Sequence, residues 1–355
     1  MSIARVYIKN FRLFKKLSLN LNNNNLLITG ANASGKTSFL EAIYLLILRK
    51  SLKTKDLKEC IHRDSKGFLL GLEITNNKGA LQIKAEKEIN KRVSIRANSG
   101  GSPITKEDLP IIQFIQAKDL RMIEGETEIR RDFFNRAMFH VEHSVENDYK
   151  QYKKALSQRN MALKRKVSKK ELNIWNKTLI ETGNVLAKKQ KDFFLTLFKK
   201  TLEDKSTKRE SKSEFLYQAT LGLQRGWPEG MSFGRALTES IEKDRAIGYS
   251  SLGPHRLDLN FYLGNKLAKT LLSRGQQKLL ILLNYFKLND ILISVNKSGI
   301  IYLIDDITSE LDEDNLKITL EEIIKLKAQV LITAINGKSL TYMTPFIDKF
   351  RQLNL

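Results

Sequence analysis

The stretch GANASGKTSFLEAIY, Gly30 to Tyr44, decides the fold. Its first eight residues match GxxxxGK[ST] without a mismatch. An apolar run, LLITG at 26–30, precedes it and reads as a short buried strand. From Thr37 onward, Phe39, Leu40, Ile43, Leu46 and Ile47 recur at helical spacing. Strand, glycine loop and helix in that order are the context a phosphate loop requires. Backbone N–H groups from Asn32 to Thr37 converge on phosphate at the positive end of a helix. Gly30 and Gly35 permit the close approach, and Ala31, Ala33, Ser34 and Ser38 complete the cradle. Lys36 neutralises charge on the outer phosphates, and the Thr37 hydroxyl is a ligand for Mg²⁺. The implied cofactors are ATP and Mg²⁺.

A second segment supplies the acids. IYLIDD at 301–306 is an apolar strand that ends in two carboxylates. Asp305 is the expected metal ligand, and Asp306 the group that orients or polarises an attacking water, so that Lys36, Asp305 and Asp306 form the catalytic set. Just upstream, LLSRGQQKLLILL at 271–283 puts Ser273 and Gly275 at the start of a helix. A signature of this kind, far from the phosphate loop but close before the acidic strand, resembles the ABC ATPase superfamily. TSELDED at 308–314 resembles the loop that follows the acidic strand there. In that superfamily the signature Ser and Gly clamp the γ-phosphate bound by a second subunit. The resemblance therefore adds Ser273, Gly275 and Gln276 to the nucleotide-binding set and implies an ATP-dependent homodimer.

The rest of the chain fits around these motifs. With 355 residues, 41% of them hydrophobic, it is long enough to bury a sizeable core and too apolar to be disordered throughout. Cys60 is its one cysteine, which excludes an internal disulfide and a cysteine-rich zinc site. No run of about 18 apolar residues is present, and MSIARVYIKNF lacks the plan of a signal peptide. The expectation is a cytoplasmic, nucleoid-associated protein with no membrane partner. The formal net charge of +22 points to a polyanion. A lysine-rich composition inherited from the genome is the competing reading. Placement favours the polyanion, because residues 151–200 hold 14 Lys or Arg against 3 Asp or Glu.

Hydrophobic period divides the chain. Residues 68–98 alternate weakly, as in an antiparallel meander. From 119 to about 200 the period becomes helical: Phe134, Met138, Val141, Val145, Tyr152 and Leu156 form one stripe, and Leu172, Trp175, Leu179, Leu186, Phe193 and Leu197 another. Two long antiparallel helices are expected, with KRKVSKKE at 164–171 as their tip and a polar linker at 203–214. After about 248 the α/β pattern returns, with GIIYLIDD and AQVLITAI reading as central parallel strands. The fold class is α/β: an ABC-type ATPase head with a mixed sheet, flanking helices and an antiparallel meander, carrying an inserted helical lid or short coiled-coil arm. The head is assigned to 1–118 and 248–355, the lid to 119–247.

Taken together, the motifs resemble the RecF family, ATPases of recombinational repair related to SMC heads. IKNFRLF at 8–14, the phosphate loop, RRDFFN at 130–135, YKKALSQRN at 152–160, QRGW at 224–227, GPHRLDL at 253–259, LSRGQQK at 272–278 and LIDDITSELD at 303–312 occur in family order. The resemblance runs nearly end to end. It implies binding of ATP and of duplex or gapped DNA, dimerisation on ATP, slow and DNA-stimulated hydrolysis, and work with RecR and RecO in loading RecA at single-strand gaps. In related heads an arginine at the position of Arg12 reaches the nucleotide; a surface turn residue is the alternative. The residue that follows the sheet toward the metal is Gln113 or Gln116. Ile335 stands in the region where transporter ATPases carry a switch histidine. Lys153, Lys154, Arg159, Lys164, Arg165 and Lys166 are candidate DNA contacts, against the plainer reading of a solvated helix face. His255 is read either as a nucleotide or dimer contact or as a turn residue.

Overall fold

The computed structural model describes residues 1–76, 79–99, 104–105, 108–142, 144–203, 214–295, 299–309, 311–335 and 338–355. Nearly all of the expected polar linker, and Glu310 of the 308–314 motif, lie outside the described residues. The chain divides into two compact units, Met1–Leu120 with Arg274–Leu355, and Arg121–Ser273.

In the first unit a parallel sheet has the strand order Phe350–Asn354, Asn25–Gly30, Gln329–Ile335, Ile300–Ile304, Ile111–Ile115. An antiparallel sheet has the order Phe14–Asn20, Ser2–Phe11, Gly67–Asn76, Gly79–Glu88, Ser94–Asn98. The strand Phe14–Asn20 has no strong sequence signal: FKKLSLN is polar and buries only Phe14. The helix Lys36–Leu48 shares one core with both sheets. Phe39, Leu40, Ile43, Leu46 and Ile47 meet Ile3, Val6, Ile8, Leu70 and Leu72 of one, and Leu26, Ile28, Leu303 and Leu331 of the other. This explains why the helix is apolar nearly all round rather than striped. The long helix Arg274–Val295 is buried over most of its length.

The second unit contains the helices Thr127–Val141, Ser144–Lys164 and Lys169–Glu203. The expected first long helix is thus two. The backbone leaves helical geometry at Glu142, which closes Thr127–Val141. The latter two helices form a hairpin whose turn is the expected basic tip. Leu172, Leu179, Leu186 and Phe193 are all buried, one every seven residues, as in a coiled-coil seam. Residues 248–273, expected with the head, lie in this unit. The strand Asp258–Leu263 pairs antiparallel with Thr220–Gln224 and with Lys266–Leu267, which satisfies the alternation of LDLNFYL locally. Among the described residues no helix is long and apolar enough to cross a membrane.

Candidate nucleotide-binding site

All five parallel strands run the same way, so their carboxyl ends share one edge, where α/β sheets bind ligands. The phosphate loop leaves the sheet there at Gly30. A Cβ on Gly30 would meet both the Leu355 carbonyl oxygen and Ser34 Oγ at 2.5 Å, so no larger residue fits. Gly35 has φ 108° and sits at the N-terminus of the helix, where no side chain caps the free N–H groups and no acid occupies the first turn. Lys36 is buried, and its Nζ donates to the carbonyls of Gly30 (2.8 Å) and Ala31 (2.7 Å). Ala31, Asn32 and Ala33 form the exposed rim, with Ala33 at φ 64°. Ser38 is buried one turn into the fold.

Alternation along the strands brings the acids to this loop. Ile301 and Leu303 face the phosphate-loop helix, so Asp305, two residues further, reaches its first turn. Thr37 Oγ1 donates to Asp305 Oδ2 at 2.8 Å across 268 positions of sequence. By the same logic Leu331 faces the helix and Thr333 follows it. Thr333 Oγ1 donates to Asp305 Oδ1 (2.8 Å) and accepts from the Asp306 N–H (2.7 Å). Thr333 was not expected; its one sequence signal is a hydroxyl inside the apolar run VLITAI. Asp306 has φ 56°, and its Oδ1 is buried without a hydrogen-bond partner. Burial, then the neighbouring Asp305 carboxylate, pushes the Asp306 carboxyl above the usual aspartate range, while Lys278 and Lys36 pull it back. Ser34 Oγ is a second unpartnered buried atom in the same loop.

This donor set fits a nucleotide with Mg²⁺. It offers free helix N–H groups, an ammonium, one hydroxyl, one carboxylate and orphaned polar atoms facing the same edge. Mg²⁺ in such sites takes few protein ligands beside phosphate oxygens and water. Among the described residues no group of three or more His, Cys, Asp or Glu offers an alternative metal centre.

The remaining candidates separate. Ile112 and Phe114 face the helix, so Gln113 lies on the opposite face of its strand, buried within the sheet. Gln116 follows the strand end, beside the edge that carries Asp305, and its N–H donates to Asp119 Oδ2 at 3.0 Å. Arg12 forms a two-pronged pair with buried Glu41 (both bonds 2.9 Å) and donates to the Glu59 carbonyl. Burial would push the Glu41 carboxyl up, but hydrogen bonds from Arg12 and Ser51 hold it below the usual range. Arg12 therefore ties the first hairpin turn to the phosphate-loop helix. Gly275 and Gln276 lie in the first turn of Arg274–Val295, with Ser273 exposed just before it.

In the second unit, Lys153, Lys154, Lys164, Arg165 and Lys166 are exposed. Arg159 is not, and its assignment as a DNA contact is corrected. It is fully buried, paired with Asp244 (2.8 Å) and bonded to Ser250 Oγ and Asn176 Oδ1 (2.7 Å each). His255 is also structural. Its Nε2–H donates to the Ser250 carbonyl (3.2 Å), and its Nδ1 accepts from Tyr152 Oη (2.6 Å). Burial lowers its pKa to about 4. Arg130 clasps Asp258, and Arg131 donates to the His255 carbonyl. RRDFFN, YKKALSQRN and GPHRLDL thus interlock in one polar network.

Comparison with known proteins identifies the family and the fold. The model of the RecF/RecN/SMC N-terminal domain matches residues 2–353. The DNA replication and repair protein RecF of Nitrosococcus oceani is 31% identical over 95% of this chain and 93% of its own. That of Psychromonas ingrahamii is 30% identical over 96% and 94%. A solved structure of the recombination mediator protein RecF with ATP, in the RecFOR pathway, superposes with a TM-score of 0.74 at 23% identity, covering 95% of this chain and 92% of that one. An SMC head bound to the C-terminal winged-helix domain of ScpA gives 0.56 at 16% identity, covering 96% and 92%. The fold is that of an SMC-like ABC ATPase head. Within that class, the chain belongs to the RecF family.

Proposed function

We propose that this chain is an ATP-driven DNA-binding switch of recombinational repair. ATP joins two copies head to head on duplex or gapped DNA, and slow, DNA-stimulated hydrolysis releases them. The observation that carries this reading is the 2.8 Å bond between Thr37 and Asp305, which unites phosphate loop and acidic strand. Lys36 holds the outer phosphates, Thr37 and Asp305 hold the metal, Gln116 lies toward them, and Asp306 polarises water. When bound, Mg²⁺ neutralises charge between the phosphates. Ser273 and Gly275 at a helix N-terminus favour the γ-phosphate of the other copy. Residues 121–273 form the lid.

Charge supports DNA as the partner. Lys15 and Lys16 flank a turn on which the segment 49–66 packs: His62 N–H donates to the Asn10 carbonyl and Arg12 N–H to the Cys60 carbonyl. That segment exposes Lys50, Lys53, Lys55 and Lys58. The RecFOR pathway named for the solved RecF structures supports a place beside RecR and RecO, and the proposed switch acts upstream of RecA at gaps. The test is solution scattering with a non-cleavable ATP analogue, then with a gapped duplex added. Growth in two steps is expected; an unchanged monomer in both would overturn the switch. DNA affinity is expected to fall with salt by about 0.9 power per phosphate contacted.

A further inference from the structure

We infer that Thr333 is the positioning residue that aims both site carboxylates. The inference rests on the nucleotide reading above and adds a residue to it. A hydroxyl has one hydrogen and two lone pairs, so a single Thr Oγ1 can donate and accept at once. Thr333 does both, donating to Asp305 Oδ1 and accepting from the Asp306 N–H. With Oδ1 held, Asp305 keeps Oδ2 directed at Thr37 Oγ1, the other candidate metal ligand. With its N–H held, Asp306 is fixed in a left-handed backbone, φ 56°, a conformation uncommon outside glycine but tolerated by aspartate. The Thr333 carbonyl accepts from the Ile307 N–H at 3.0 Å, fixing the chain beyond the pair as well. One fully buried residue thus grips three successive positions, 305 to 307.

Packing alone does not call for this hydroxyl. Thr333 lies in a strand of Val330, Leu331, Ile332 and Ala334, all buried, where valine would fill the same space. The hydroxyl is used wholly on the acidic strand. Partners of this kind, which touch a metal ligand and not the metal, are worth 10–100-fold in metal affinity or turnover.

The test compares Thr333→Val, Thr333→Ser and wild type by binding of a fluorescent ATP analogue, first in EDTA and then against rising Mg²⁺. The valine variant is expected to bind in EDTA within about twofold of wild type, yet to need at least about 10-fold more Mg²⁺ for half-maximal tightening. Its kcat is expected to fall by about 10–100-fold with little change in KM. Serine, which keeps the oxygen, restores both. A valine variant with the wild-type Mg²⁺ midpoint would overturn the inference, and so would a serine variant as impaired as valine. Where valine fails a thermal-unfolding check, Thr333→Ala is read in the same way. Wild type that binds no analogue under any condition would overturn the nucleotide reading itself, a distinct result.

Discussion

Arg159 and Asp244 form an ion pair with 0% exposure on both side chains, Nη1 to Oδ2 at 2.8 Å. Asp244 also accepts from the N–H and Oγ of Ser251, while Arg159 Nη2 is buried with no partner. Removing one member leaves an uncompensated buried charge. Arg159→Ala and Asp244→Ala are each expected to cost about 3–5 kcal/mol, and the double variant less than their sum. Urea unfolding measures this. Lys153→Ala, on the solvent side of the same helix, is expected to stay within about 0.5 kcal/mol of wild type. Equal effects at 153 and 159 would contradict the buried network.

His255 makes stability depend on acid. Its folded pKa, about 4, lies below the ordinary 6.5, so between those values the unfolded chain binds the extra proton. Stability from this group is complete above about pH 6.5 and is lost as pH falls toward 4, on the order of 3 kcal/mol in all. Unfolding curves at steps from pH 7 to 4 report the slope. His255→Gln is expected to flatten it while lowering stability at pH 7.

Lys36→Ala removes the ammonium that now bonds the Gly30 and Ala31 carbonyls. Loss of a charge-assisted contact to phosphate is expected to weaken ATP binding by about 10–100-fold, and with it ATP-dependent pairing. Calorimetry gives the first and scattering the second. Pairing that survives in this variant would refute the site.

Ser273→Arg tests whether the signature acts on the other copy's nucleotide. ATP affinity of the monomer is expected to stay within about twofold, since one surface substitution outside the phosphate loop leaves its contacts intact. Pairing of heads is expected to vanish. A variant that cannot bind ATP at all would show that Ser273 serves its own pocket.

The legible parts of the site were the local ones. GANASGKT and LIDD each carry their chemistry within a few residues, and the strand before each is apolar enough to be read. What sequence could not reveal depends on long-range pairing. Thr333 matters only because Gln329–Ile335 lies beside Ile300–Ile304 in register, Ile332 against Ile304. The choice between Gln113 and Gln116 turns on which face of a strand meets the helix, and an all-apolar strand hides its faces. Arg159 resembled its basic neighbours until Asp244, 85 positions on, was seen to cover it. Residues 248–273 fall with the second unit because LDLNFYL finds its partner in Thr220–Gln224.

Among the described residues, the strand that launches the phosphate loop, Asn25–Gly30, pairs with Gln329–Ile335 and Phe350–Asn354 and with no other. Both neighbours follow it by about 300 residues of sequence. A nascent chain therefore carries its glycine loop on a strand with two bare edges until those segments have been made. Nucleotide capture waits on distant segments, and a chain that stops before Gln329 is expected to bind ATP poorly, since it lacks both flanks of the strand that carries the glycine loop.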